Sequence, residues 1–344
     1  MTPREPLRIW SVSDGRAGME NQVLGLAEAV ARLTPAHIEI KRIAITPPYD
    51  RLPTALWGRA EKRLALGADS LSPPLPDLWI ACGRRTVPFS IRMRGKGPLV
   101  VQTQHPRVAT RKFDLVVPPV HDNLVGPNVF PIVGAPNRLS IGRLLADSRA
   151  LGPFLSTLPE PRAAVLIGGD SKAFKMTRRA IDRLVATVAA ASEAGFGLMI
   201  SASRRTPASV LPALREALPA RGVWVWDGAP VAGLDNPYFG ILGLADRILV
   251  TEESTNMITD AAYTGKPVHL MRLEGGTPKW GRFHEELRAR GIIREEVPLT
   301  SDWRYTPLRE TDRVAQHILN LLTLREKTRD IQRDDDGVLS SSRI

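Results

Sequence analysis

Cysteine and histidine are scarce in this sequence: its 344 residues include one cysteine, Cys82, and six scattered histidines. A single thiol cannot close an internal disulfide, and so few Cys and His residues do not favour a structural zinc site. No apolar run approaches the ~20 residues that cross a bilayer as a helix. These absences predict a cytoplasmic protein. Cys82 itself ends an apolar run, 78–82, which is typical of a core position rather than of a nucleophile.

Aromatic residues make up only 6% of the chain, and no RNA-binding aromatic motif, zinc finger or continuous Lys/Arg tract accompanies its net charge of +11. These absences argue against nucleic acid as the main partner. A basic protein of this kind has two other typical partners, phosphorylated substrates and an anionic membrane surface. Arginine supplies most of the excess, and its planar guanidinium suits bidentate contacts with phosphate. We also expect that the protein can make peripheral contact with the inner membrane.

Short β-like runs alternate with helical stretches along most of the chain, which is the pattern of parallel sheets with helical crossovers. The first series of predicted strands comprises 7–12, 37–43, 78–82, 99–102, 114–117 and 128–132. The second series comprises 163–167, 197–201, 223–226, 247–251 and 268–271. A proline-rich hinge at 159–161 separates the two series. We therefore predict an α/β protein with two Rossmann-like domains that face a cleft.

The predicted boundaries follow this division. The first domain comprises 1–158 and the second 159–305, and an amphipathic helix within 306–326 packs back across the hinge. The polar tail, 327–344, is expected to be disordered. Since ligands of parallel sheets bind at the carboxyl ends of the strands, the segments that follow each strand are the candidate sites.

The run 13–22 follows the first strand and opens the first predicted helix. Its glycines allow a ligand to approach the backbone, and a helix N-terminus favours an anion. The glycine spacing is not that of the dinucleotide fingerprint. Asp14 and Glu20 are candidate general bases here, although a tight turn with a helix cap is an equally good interpretation of the run.

Two further polar segments follow strands of the second domain. Paired glycines with a serine and a lysine suit a diphosphate held by backbone N–H groups and one ammonium, and adjacent arginines suit an anion. The alternative is a pair of solvated loops. The candidate ligand-binding residues in these segments are Gly168, Gly169, Ser171, Lys172, Ser203, Arg204 and Arg205.

The stretch 245–268 is the most informative, because a strand runs into a polar loop and then into a helix capped near Ser254. Asp260 lies on the second turn of that helix, where a carboxylate can accept hydrogen bonds from ribose hydroxyls while the helix start receives phosphate. Glu253, Asn256 and Met257 complete the candidate set. The stretch resembles the donor-binding segment of GT-B glycosyltransferases, in which an acidic residue stands five positions before the helix-ending glycine. Asp260 stands five before Gly265, although glutamate is usual there.

A broader resemblance covers about residues 8–325. Its motifs are Asp14-Gly15-Arg16-Ala17-Gly18, Gly83-Arg84-Arg85-Thr86, Gln104-His105-Pro106-Arg107, His121-Asp122, Gly168-Gly169-Asp170, Ser203-Arg204-Arg205-Thr206-Pro207 and Asn236-Pro237-Tyr238. The chain resembles the elongated-mitochondria (ELM) fission-factor family, and in particular its bacterial branch. This resemblance implies a GT-B-like glycosyltransferase in bacteria, whereas plant members act at mitochondria by recruiting a dynamin-related division protein.

The leading functional hypothesis is therefore a glycosyltransferase that moves a sugar from a nucleotide-sugar, its substrate rather than a cofactor, to a cell-envelope, lipid-linked or other acceptor. His105 and His121 join Asp14 and Glu20 as candidate bases, since imidazole titrates near neutral pH. No Asp-X-Asp metal motif of the kind that other glycosyltransferases use is evident, so we expect a metal-independent reaction in which arginine, lysine and helix N-termini stabilise the leaving diphosphate. A sugar-nucleotide epimerase and a non-catalytic adaptor remain the alternatives.

Overall fold

The computed structural model describes residues 5–294 and 297–341, which fall into two compact units. The first unit contains the stretches up to Pro119, Asn123–Arg138 and from Arg309 onward, and the second contains Val120–Asp122 and Leu139–Leu308. The division after Arg138 differs from the predicted hinge at 159–161. A helix at Ile141–Leu151 explains the difference, because it packs against a later helix of the second unit.

The first unit is built on a five-stranded parallel sheet with the order β2-β1-β3-β4-β5. Its strands are β1 (Leu7–Ser13), β2 (Ala36–Arg42), β3 (Leu78–Cys82), β4 (Leu99–Thr103) and β5 (Leu115–Val117). Every residue of β3, β4 and β5 is buried, as expected of parallel strands covered on both faces. The strand order reverses between β1 and β3, which makes their carboxyl ends the topological switch point of this sheet.

Two helices cover one face of this sheet, α1 (Ala17–Ala31) and the last helix, Glu310–Ser341. Val314 and Ile318 of the last helix share a core with Val23 and Leu26 of α1. The last helix extends through Ser341 and so includes most of the range 327–344 expected to be disordered. A helix satisfies its backbone hydrogen bonds locally, so it can continue from a packed segment into a polar one.

The second unit is built on a parallel sheet with the order β11-β10-β6-β8-β9. Its strands are β6 (Arg162–Ile167), β8 (Gly197–Ala202), β9 (Val223–Trp226), β10 (Arg247–Thr251) and β11 (Val268–Met271). A short antiparallel pair, β7 (Phe174–Lys175) and β12 (Glu274–Gly275), lies outside it. The order reverses between β6 and β10, so the loops that follow these two strands meet at the switch point.

The remaining helices are short to medium in length. They are α2 (Val87–Met93), α3 (Ile141–Leu151), α4 (Arg178–Glu193), α5 (Val210–Ala217), α6 (Tyr238–Leu244), α7 (Thr255–Tyr263) and α8 (Pro278–Ala289), and the last helix is α9. In the described residues, no helix is long and apolar enough to cross a membrane.

The sequence pattern predicts a helix at 52–66 and a strand at 128–132, and the structure differs from both predictions. The range 52–66 is not a helix but contains two short 3₁₀ turns, because Pro53 and the left-handed Gly58 interrupt it. The range 128–132 forms isolated bridges instead of a strand. Helix α6 was missed, since it is short and contains two glycines.

Gly25 of α1 tests the packing of the first unit. A Cβ at this position would lie 2.1 Å from the carbonyl oxygen of Asn137, so Gly25→Ala forces the backbone apart. We expect it to destabilise the protein by about 1–3 kcal/mol in urea unfolding. Gly142→Ala is the matched control, because a Cβ there meets no atom within 4 Å. Equal unfolding midpoints for the two variants would contradict the described approach of α1 to Asn137.

Candidate functional site

The loops after β6 and β10 are joined by two hydrogen bonds at the switch point of the second sheet. The backbone N–H of Gly168 donates to Oγ1 of Thr251 at 2.8 Å, and the N–H of Gly169 donates to Oε1 of Glu253 at 2.9 Å. Both predicted phosphate-binding amides therefore have acceptors within the protein. Their role in holding a diphosphate stays a prediction.

The two glycines are needed because other parts of the chain approach them closely. A Cβ at Gly168 would lie 1.7 Å from Oε1 of Glu253, and a Cβ at Gly169 would lie 2.0 Å from the carbonyl oxygen of Arg205. Any side chain would displace the carboxylate or the neighbouring loop. The paired glycines thus let three loops converge at one point.

Glu253 lies at the centre of this convergence. Its side chain is 0% exposed, and Oε1 also accepts a hydrogen bond from Nη2 of Arg205 at 3.1 Å. Oε2 has no partner among the described residues. Burial raises the pKa of this carboxyl, because the low-dielectric surroundings disfavour its charged form. Arg205 remains 47% exposed, so a single guanidinium balances the buried carboxylate and also faces solvent.

The loop after β8 is fixed by its own hydroxyl groups. Oγ1 of Thr206 lies 3.0 Å from the carbonyl oxygen of Ile167, and Oγ of Ser203 accepts the N–H of Arg205 at 3.2 Å. Arg204 is exposed. Cationic groups of this loop are therefore held next to the end of β6.

The remaining predicted residues of the loop after β6 have different surroundings. Oγ of Ser171 accepts the backbone N–H groups of Ala173 and Phe174 at 3.2 and 3.0 Å, which makes it a turn residue. Lys172 is exposed.

Helix α7 begins at the same edge of the sheet. Ser254 caps it by accepting the N–H of Met257 at 3.4 Å, as the sequence predicts. Asn256 and Met257 are half-buried on the first turn. Asp260 lies six residues beyond the cap, or about 9 Å along the helix axis.

The carboxylate of Asp260 is half-buried, and the hydroxyl of Tyr238 donates a hydrogen bond to its Oδ2 at 3.2 Å. Burial raises the pKa of Asp260 to about 7, and the Tyr238 hydrogen bond partly opposes this rise. The two groups connect α7 to the first turn of α6. Asn236-Pro237-Tyr238 is one of the motifs that carry the family resemblance, but the sequence alone assigns no role to Tyr238.

Glu252 is a second buried acid that sequence reasoning missed. Oε1 accepts the N–H of Leu273 at 2.7 Å, and Oε2 accepts from Arg272 at 2.8 Å. Nε2 of His284 lies 3.0 Å from the backbone oxygen of Glu252. These contacts anchor α8 and the segment after β11 to the end of β10. Glu252 and Glu253 stand next to each other directly after a buried strand, and this sequence feature could have identified Glu252.

Two of the four candidate bases lie near the end of β1 in the first unit, and both are ion-paired. Asp14, with a side chain 2% exposed, accepts from Nε of Arg16 at 2.8 Å and pairs with its Nη2 at 2.7 Å. Glu20 forms a bidentate pair with Arg42 at 2.7 and 2.9 Å. The hydrogen bonds from Arg42 lower the pKa of Glu20, which makes it a weaker base than an isolated glutamate.

His105 lies in a loop that follows β4 and has unusual backbone geometry. Gln104 and Arg107 have φ values of 65° and 60°, a left-handed conformation that is uncommon for residues other than glycine. Nδ1 of His105 accepts the backbone N–H of Arg107 at 3.0 Å, so the neutral ring carries its proton on Nε2. The half-buried imidazole is thereby arranged as a hydrogen-bond donor.

His121 is 5% exposed and packs edge-on against Phe283 at 5.1 Å. Burial lowers its pKa to about 4, and the nearby charge of Lys279 adds to this effect. Asp122 forms an ion pair with Lys279 at 2.6 Å, and Arg282 donates to the backbone oxygen of His121. These contacts anchor residues 120–122 on α8, and a catalytic role of His121 stays a prediction.

The structure brings the second-unit candidates together and separates the proposed bases by environment. Gly169, Arg205 and Glu253 form one hydrogen-bonded group, the N–H of Gly168 beside it donates to Thr251, and α7 begins next to them. The described structure thus defines an α/β protein with two parallel sheets and a polar switch point in the second, and the predicted GT-B-like fold class is confirmed.

Solved structures share this fold. UDP-GlcNAc 2-epimerase from Methanocaldococcus jannaschii superposes with a TM-score of 0.55 at 10% identity, over 92% of this chain and 100% of that chain. The same enzyme in complex with UDP-GlcNAc and UDP gives a TM-score of 0.53 at 11% identity, with the same coverage. At such identities the likeness concerns the fold alone.

Sequence comparison gives the family. The family described as Mitochondrial fission ELM1 matches residues 17–322, and this chain belongs to it. Mitochondrial fission protein ELM1 of Arabidopsis thaliana is 28% identical over 284 residues, which are 73% of this chain and 65% of that protein. Uncharacterized protein RP120 of Rickettsia prowazekii is 25% identical over 353 aligned positions, covering 91% and 98%. The chain thus spans about two thirds of the plant relative and nearly all of the bacterial one.

Glu253 provides a test of the loop convergence. Glu253→Ala leaves the N–H of Gly169 without its acceptor and Arg205 without its partner, so we expect a loss of about 2–4 kcal/mol in urea unfolding. Glu253→Gln keeps an acceptor and removes a buried charge, and its cost should stay below about 1 kcal/mol. Glu285→Ala, at a carboxylate 73% exposed in the same unit, is the control and should change stability by less than about 0.5 kcal/mol. Similar losses for all three variants would refute the central role of Glu253.

The raised pKa of Asp260 predicts a specific pH dependence. The unfolded carboxyl loses its proton near pH 3.8 and the folded one near pH 7, so the native state binds more protons between these values. This group therefore makes stability fall as pH rises from about 4 to 7. Asp260→Asn removes the titration, and its stability relative to the unsubstituted protein should rise by about 1–3 kcal/mol between pH 5 and pH 8.

Thermal melts of both proteins across this pH range measure the effect. Asp182→Asn, at an aspartate whose side chain is 58% exposed on α4, serves as the control and should keep the pH profile of the unsubstituted protein. Parallel profiles for Asp260→Asn and the unsubstituted protein would contradict the burial of Asp260.

Proposed function

We propose that the second unit binds a nucleotide-sugar and that the protein transfers the sugar to a cell-envelope, lipid-linked or other acceptor without a metal. The observation that carries this proposal is the arrangement on α7. Its capped N-terminus and Asp260 are separated by about 9 Å along the axis of one helix, which begins at the sheet's switch point. In open α/β sheets, ligands bind at such a point.

The diphosphate and the ribose have separate binding groups in this proposal. The partial positive charge at the start of α7 favours the phosphates, and the exposed Arg204, Lys172 and half-exposed Arg205 add cationic charge. Asp260, oriented by Tyr238, accepts hydrogen bonds from the ribose hydroxyls. Gly168 and Gly169 act indirectly, because they allow Glu253 and the loop that carries Arg205 to approach.

The acceptor side is assigned to the first unit. Of the four candidate bases, Asp14 and Glu20 are ion-paired and His121 is buried. His105 retains a half-buried ring whose Nε2–H can donate to an acceptor oxygen or to the leaving group. Which of the four residues acts as the acid or base stays a prediction.

Thermal melts with a panel of nucleoside diphosphates and nucleotide-sugars test the binding step. UDP-, GDP-, CMP- and dTDP-linked ligands are the probes, and a ligand at 100 times its dissociation constant should stabilise the protein by about 2.7 kcal/mol. We expect a selective shift that Asp260→Ala reduces, with an affinity about 10- to 100-fold lower. Asp182→Ala should keep the full shift. A panel without any shift would overturn the proposal.

Product analysis then separates the alternatives. Incubation of the protein with the selected nucleotide-sugar and no acceptor should yield no isomer if the protein is a transferase, whereas an epimerase would produce one. Binding without turnover in the presence of envelope acceptors would favour an adaptor that kept the fold.

A further inference from the structure

The positive charge of the chain is concentrated in one stretch of the first unit. Residues 51–112 contain twelve of the 47 Lys and Arg residues and three of the 36 Asp and Glu residues, so they hold nine of the eleven net positive charges. This stretch is less than a fifth of the sequence. Such a concentration creates a local positive potential that a dispersed excess would not.

Two segments of this stretch, 54–72 and 87–97, pack together on the face of the first sheet opposite α1 and α9. Trp57 is buried, and its ring contacts that of Phe89 with a centroid separation of 6.5 Å. An ion pair joins Glu61 to Arg92. A recess of about 300 Å³ lies between the segments, and its lining is mixed: Leu64, Leu71, Phe89 and Met93 are apolar, whereas Glu61, Asp69 and Arg92 are charged. We refer to the exposed side chains of these two segments as the outer layer.

The outer layer combines exposed leucines with basic residues. Leu66 is completely exposed, at 104%, and Leu56 is 63% exposed. Arg59, Lys62 and Lys96 are exposed around them. The two segments contain six Lys and Arg residues against two Asp and Glu residues, so the layer keeps a net positive charge after the Glu61–Arg92 pair is counted.

We propose that the outer layer docks the first unit on an anionic lipid bilayer, with Leu56 and Leu66 entering the headgroup region and the basic side chains contacting lipid phosphates. Charge complementarity supplies long-range attraction. The exposed leucines also need an apolar environment, which a lipid bilayer offers and a polyanion in water does not. Nucleic acid fits less well, because the aromatic rings that could stack on bases, Trp57 and Phe89, are buried. The inference does not depend on nucleotide-sugar binding.

Vesicle co-sedimentation of the full chain tests the proposal. The probes are phosphatidylcholine vesicles with and without 30% phosphatidylglycerol, at 50 and 300 mM NaCl. We expect binding to the anionic vesicles only, and weaker binding at the higher salt concentration. Leu56→Ser/Leu66→Ser and Arg59→Glu/Lys62→Glu should each lower the partition coefficient by at least tenfold. Since all four side chains are exposed, these variants should melt like the unsubstituted protein.

Matched controls come from other surfaces of the chain. Leu33→Ser replaces a leucine that is 50% exposed after α1, and Arg178→Glu reverses a charge that is 89% exposed on α4. Both should bind vesicles like the unsubstituted protein. Absence of binding to anionic vesicles, or equal losses in the controls, would overturn the proposal. So would a loss confined to the charge variant together with competition by short duplex DNA, because that result indicates a general polyanion surface.

Discussion

A buried carboxylate holds together the three loops on which the candidate site depends. Glu253 accepts from the backbone of Gly169 and from the side chain of Arg205, and thereby connects the ends of β6, β8 and β10. Burying a charged group is unfavourable unless its hydrogen bonds compensate, so this arrangement requires the close approach that Gly168 and Gly169 allow. The conformation of the loops at this edge of the second sheet, and with it the start of α7, follows from these two hydrogen bonds of Glu253.

The candidate acidic residues of the two units have different surroundings. In the first unit, Asp14 and Glu20 are ion-paired with Arg16 and Arg42, and the hydrogen bonds from Arg42 lower the pKa of Glu20. In the second unit, burial raises the pKa of both Glu253 and Asp260. Perturbed carboxyl groups at the switch point of a parallel sheet are the kind of feature that distinguishes a site from a structural edge.

Much of the fold could be predicted from the sequence, because buried parallel strands such as 78–82 and 163–167 are continuous apolar runs between polar turns. The structure of segment 52–66 could not be predicted, because Pro53 and Gly58 interrupt a pattern that is otherwise helical. At the site, the Ser254 cap was readable from local spacing. The hydrogen bond from the Gly169 N–H to Glu253 could not be predicted, because it joins residues 84 positions apart. The Tyr238–Asp260 contact is likewise a product of tertiary packing.

Amide hydrogen exchange with and without the panel ligand that gives the largest melt shift tests the central claim most directly, since it reports where on the chain a ligand acts. The account predicts slower exchange in the first turn of α7 and in the loops after β6 and β8, with Glu253→Ala abolishing the protection in all three. Protection confined to the first unit, or unchanged exchange at the start of α7 under saturating ligand, would contradict it.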